Sequence, residues 1–133
     1  MNFLNETSIY HLCVGSESPS VEVSEDIAGA GAFGAVDGTD EAGLIILTTG
    51  SDPSTGGVIF SLEFSKPYSV VGLSPFLVLA SVNAVTTALT PTQMIFADLD
   101  GSGNEYIQFI AGSAPLDPGT TYKWVYHVIG RRA

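Results

Sequence analysis

The sequence predicts an all-β fold, an antiparallel β-sandwich of jelly-roll type with about eight strands and an extended N-terminal arm. Three observations predict it. Apolar residues recur with a period of two along most of the chain, Gly, Pro, Asp and Ser interrupt them at spacings of about eight to twelve residues, and no segment sets apolar residues at helical spacing between a cap and a stop.

The elements follow from that alternation. In 58–65, Val58, Phe60, Leu62 and Phe64 fall on one side while Ser61, Glu63 and Ser65 fall on the other, the pattern of a half-buried strand. In 122–129, Tyr122, Trp124, Tyr126 and Val128 share a face, and Lys123 and His127 lie opposite. Further strands are expected at 21–23, 44–49, 69–73, 77–82, 94–98 and 106–110, each bounded by turn formers. The stretch 82–89 is too rich in Val and Thr to form more than a turn. Turn chemistry is explicit at Asp37-Gly38, Asp52-Pro53, Gly56-Gly57, Asp100-Gly101 and Asp117-Pro118-Gly119.

Composition divides the chain into residues 1–36, an N-terminal arm or peripheral anchoring segment, and 37–133, a sandwich domain. The arm is poor in strand formers, and its Gly29-Ala30-Gly31-Ala32-Phe33-Gly34 run reads as a flexible linker. Its first residues are apolar, however. Phe3, Leu4, Ile9, Tyr10 and Leu12 are too many to float in water, so this segment is expected to anchor the chain on a larger assembly.

Among 133 residues, 45% are hydrophobic and 14% charged, whereas an average soluble domain carries about 25% charged residues. One small domain cannot shelter that much apolar side chain, so part of it is expected in a subunit interface. The four basic residues, Lys66, Lys123, Arg131 and Arg132, stand against fourteen acids and leave a net charge of −10. Such a charge repels phosphate backbones and anionic lipid, which removes nucleic acid and membrane surfaces as partners. The single Cys13 excludes an internal disulfide framework. A signal peptide is not expected, because the first twenty residues contain no Lys or Arg and no long apolar run. The uncharged span 67–97 is broken by Pro75, Asn83 and Pro91 and is not read as a membrane helix.

The chemical motifs are weak. Gly29, Gly31 and Gly34 match the spacing of a dinucleotide loop, but no buried strand is expected before them and no helix after, and Asp37, Asp40 and Glu41 would repel phosphates. Asp98, Asp100 and Ser102 followed by Gly103 open like a calcium loop, yet Phe109 stands where a bidentate carboxylate is required, and a tight strand connection uses the same residues. His11 and His127 are the only imidazoles and neither has a nucleophile motif beside it. No catalytic residue, cofactor or metal site is therefore expected, and the chain is read as not an enzyme. Tyr106, Phe109, Tyr122, Trp124 and Tyr126 gather toward the C-terminus as sandwich core, an oligomer contact or a platform for sugar rings.

Several segments also resemble a known family. They are Asp37-Gly38-Thr39-Asp40-Glu41-Ala42-Gly43 with the run to Gly50, Gly57-Val58-Ile59-Phe60-Ser61-Leu62-Glu63-Phe64 with Pro67-Tyr68, the stretch 71–75, and Thr121-Tyr122-Lys123-Trp124-Val125-Tyr126-His127-Val128-Ile129-Gly130. Together they resemble the C-terminal knob-like domains of tailed-bacteriophage fibres and related virion structural proteins. The resemblance covers about 37–130 and is carried most specifically by its closing segment. It implies a homotrimeric exterior knob on a virion, partnered by other virion proteins such as the capsid or tail. Fewer than forty residues precede the knob, which suits a capsid decoration protein or short head fibre better than a shafted fibre. The alternative is a tail fibre tip or receptor-binding protein that meets host surface glycans through Tyr122, Trp124, Tyr126 and loops near Asn83 and Asn104.

Overall fold

A computed structural model describes residues 18–68 and 75–130. It is a β-sandwich of two four-stranded antiparallel sheets. The strands are β1 (Ser20–Val23), β2 (Phe33–Gly38), β3 (Ala42–Thr48), β4 (Val58–Glu63), β5 (Phe76–Ser81), β6 (Phe96–Asp98), β7 (Tyr106–Ile110) and β8 (Thr121–Ile129). The first sheet has the order β1-β4-β7-β6 and the second β2-β3-β8-β5, so the chain crosses repeatedly between layers. Among the described residues, helix is confined to two four-residue pieces, α1 (Glu25–Ala28) and α2 (Ala84–Thr87).

Alternation does what hydrophobic burial requires of it. In β8, Tyr122, Trp124, Tyr126 and Val128 are buried while Val125, His127 and Ile129 are exposed. Phe60 stacks on Phe109 with ring centroids 4.6 Å apart, and Trp124 meets Phe60 across the gap at 6.0 Å. Those rings join the two sheets, with Ile45, Leu47, Leu62 and Ile107 completing an apolar interior. In β4, Ile59 and Phe60 are both buried, which strict alternation forbids; a bulge between Val58 and Phe60 re-aims the chain there.

The expected arm needs correction over part of its length. Residues 20–38 supply β1 and β2, one edge strand to each sheet, so the sandwich begins well before residue 37. The glycine run is a turn leading into a strand. Gly29 and Gly31 take φ of 103° and 83°, conformations that favour glycine, and close the exit from α1. Gly34 lies inside β2, where an added Cβ would come within 3.0 Å of the Val21 and Val23 side chains, so the edges of the two sheets can approach. The anchoring residues Phe3, Leu4, Ile9, Tyr10 and Leu12, together with Cys13 and the strand expected at 69–73, lie outside the described residues.

One polar network ties the sheets together. Asp40, fully buried in the β2–β3 turn, accepts hydrogen bonds from the Ser65 backbone N–H (2.9 Å), the Ser65 hydroxyl (2.9 Å) and the Lys66 N–H (3.1 Å) beyond β4. Tyr68 donates its hydroxyl to the Asp40 carbonyl at 3.0 Å, and Tyr126 donates to the Thr39 carbonyl. Burial, reinforced by the neighbouring Asp40 charge, pushes the Tyr126 phenol far above its usual pKa, so it stays a donor.

Candidate interaction faces

The outer face of the second sheet is largely apolar. Because Ile45, Leu47, Tyr122, Trp124 and Tyr126 point inward, the alternate positions point out, and pairing sets Leu44 beside Val125 and Ile46 beside Lys123. Phe33 on β2 is 61% exposed, Val78 on β5 55%, Val125 on β8 40% and Ile129 52%. The four strands carry one acid, Asp37, and one lysine, Lys123. Asp37 lies beside Leu44 on the β2 side, and Lys123 lies beyond β3.

The outer face of the first sheet is different. Ser20, Glu22, Ser61, Glu63, Tyr106 and Gln108 point outward there, and its strands contain Glu22, Glu63 and Asp98 with no base. Glu63 has its pKa raised, first by a hydrogen bond with Glu22, then by burial and by the repulsion of that same carboxylate. Phe96, 53% exposed beside Ile110, is an apolar corner on an otherwise polar surface.

Tyr122, Trp124 and Tyr126, named from sequence as an oligomer or ligand contact, are 1%, 5% and 3% exposed. They form the wall of the core, not an outward platform. The Tyr122 hydroxyl accepts from the Asp117 N–H at 3.0 Å, and its ring stacks on Trp124 with centroids 6.0 Å apart. Trp124 reaches a cleft of about 390 Å³ that it shares with Leu79, Ser81, Thr86, Thr87 and Met94. Asn83 caps α2, accepting from the Thr86 N–H at 3.1 Å and donating to the Thr121 carbonyl at 3.1 Å. Asn104 donates to the Tyr68 carbonyl at 3.1 Å. Both asparagines are therefore engaged in holding their own loops.

The Asp98–Gly103 stretch is the β6–β7 connection, closed by the Ser102 hydroxyl, which donates to the Asp98 carbonyl at 2.6 Å and accepts from the Gln108 N–H at 2.8 Å. Among the described residues no three His, Cys, Asp or Glu side chains gather as a ligand set. His127 is exposed, with Ala42 and Val78 as its cross-strand neighbours.

This chain matches no family model, no curated protein and no solved structure. Sequence reading missed the apolar face as a face, although its signal was present: 44–47 is an unbroken Leu-Ile-Ile-Leu run, and Val125 and Ile129 occupy positions where alternation calls for polar residues.

Proposed function

We propose that this chain is a non-enzymatic structural protein of a bacteriophage particle, a trimeric exterior knob held to the particle by its N-terminal residues as a capsid decoration protein or short head fibre. The observation that carries this reading is the exposed apolar face of β2-β3-β8-β5 on a chain of net charge −10. Apolar sheet faces of this kind mark contacts between proteins. The resemblance of 37–130 to phage knob domains supplies the setting, and the apolar residues Phe3, Leu4, Ile9, Tyr10 and Leu12 supply the anchor.

The test has two parts. Sedimentation of the full chain should give the mass of a trimer, and antibody-labelled copies should appear on the outside of phage particles in electron micrographs. A monomer at all accessible concentrations with no affinity for particles overturns the reading. A second reading, a fibre tip for host glycans, draws on the uncharged cleft walled by Trp124, Ser81 and Thr87. Since Trp124 is the single tryptophan, neutral oligosaccharides should change its fluorescence if that reading holds, and an unchanged spectrum rejects it.

A further inference from the structure

The charges on the apolar face are polarised. Asp37 is the only acid on the strands of the second sheet and lies on its β2 edge, while Lys123, the only lysine, lies on β8 with exposed His127 on the same strand. Two strands of spacing separate Asp37 from Lys123, about 10 Å across the sheet, with Leu44 and Ile46 between them. The acid and the base are thus placed on opposite halves of one apolar surface.

Copies of this chain repel one another through most of their surfaces, because each carries a net charge of −10. The strands of the first sheet add to that repulsion with three acids and no base. Those of the second sheet balance one acid with one lysine, so apolar contact there meets less local repulsion than contact through the first sheet. Symmetry then selects the arrangement. In the trimer proposed above every contact is head to tail, so the Asp37 half of one copy can meet the Lys123 half of the next around a ring where the rotation closes.

We infer that the apolar face of β2-β3-β8-β5 is covered by a second copy of this chain, head to tail, with Asp37 of one copy facing Lys123 of its neighbour around Val125 and Leu44. This rests on the oligomeric reading above and names its surface. It deepens that reading by stating which half of the face meets which.

The experiment is sedimentation velocity on the full chain and on Val125→Asp, Asp37→Lys, Lys123→Glu and the double variant Asp37→Lys/Lys123→Glu. Circular dichroism and Trp124 fluorescence report whether each variant folds. Val125→Asp is expected to be a folded monomer at concentrations where the unaltered chain is assembled. Each single charge reversal is expected to weaken association by about tenfold or more, and the double variant to recover most of the loss. An assembled Val125→Asp variant overturns the inference and leaves the oligomeric reading standing. A double variant no better than either single variant overturns the head-to-tail pairing, and it does so even if Val125→Asp fails to fold. An unaltered chain that is monomeric, its face covered by its own first residues or by another protein, overturns both.

Discussion

The outer faces of the two sheets are made by the same rule and end in opposite chemistry. On the first sheet, residues that alternate with Leu62, Ile107 and Phe109 are Ser61, Glu63, Tyr106 and Gln108, the usual division of an antiparallel sheet into a dry face and a wet one. On the second sheet, residues that alternate with Ile45, Leu47, Trp124 and Val128 are Leu44, Ile46, Val125 and Ile129, with Lys123 and His127 among them. That sheet is largely apolar on both sides. Burying apolar surface is worth about 25 cal/mol per Å², and none of that is gained while the outer face meets water. Four of the nine exposed large hydrophobics among the described residues, Phe33, Val78, Val125 and Ile129, lie on that one outer face, and on that ground we propose the second sheet for assembly.

The core shared by both sheets is where the largest effect is expected. Phe60→Ala removes the ring that stacks on Phe109 and touches Trp124, and such deletions cost about 3–5 kcal/mol. Urea unfolding followed by circular dichroism and by Trp124 fluorescence should show one coincident transition at lower denaturant. Two separated transitions would mean that the sheets are stable independently.

Asp40→Ala comes next. It leaves the Ser65 and Lys66 N–H groups and the Ser65 hydroxyl without their carboxylate, at a cost of about 2–3 kcal/mol. The loss should appear as a lower urea midpoint with an unchanged slope, and a shift below about 0.5 kcal/mol would show that the network does not couple the β2–β3 turn to the loop after β4.

A smaller effect on stability separates the two faces directly. Ile46→Ser and Gln108→Ala both alter outward positions, so each should change monomer stability by no more than about 1 kcal/mol. Only Ile46→Ser should shift the sedimentation profile toward smaller species. Equal behaviour of the two variants would erase the functional distinction between the faces.

Much of the sandwich was legible because burial on one face writes a period of two into the sequence, as in Tyr122, Trp124, Tyr126 and Val128. What was lost had a physical cause. β2 contains Gly34, which serves close approach to β1, Gly38, which serves a tight turn, and Ala35, and such small residues carry little of the alternation signal. The aromatic cluster was read partly as a surface contact because alternation tells which residues share a face but not which face is inward. In β8 both sets are substantially apolar, Tyr122, Trp124 and Tyr126 against Val125 and Ile129, and only the opposing rings of Phe60 and Phe109 settle the direction. The Asp40 network left no pattern at all, because its partners lie 25 and 26 residues away in the chain.

The smallest expected effect concerns the acidic face and has a definite sign. The Glu63 carboxyl holds its proton to higher pH in the folded chain than in the unfolded one, because it shares a hydrogen bond with Glu22 across β1 and β4 and because a second carboxylate beside Glu22 is disfavoured. The folded state therefore binds more protons between the unfolded pKa, about 4.3 for a free glutamate, and the higher folded value, so the contribution of this pair to stability falls as pH rises through that window. Above it the two groups are both charged and repel. Glu63→Gln removes the repulsion while keeping a hydrogen-bonding side chain, so it should stabilise the fold at pH 7 by a few tenths of a kcal/mol, a small gain because the pair faces solvent and is screened. The gain should vanish as pH falls well below the unfolded pKa, since Glu63 is then neutral in both states. Melting temperatures of the two proteins measured against pH should converge on acidification. Curves that stay parallel would show that Glu22 and Glu63 do not share a proton, and that the acidity of this face resides in independent charges.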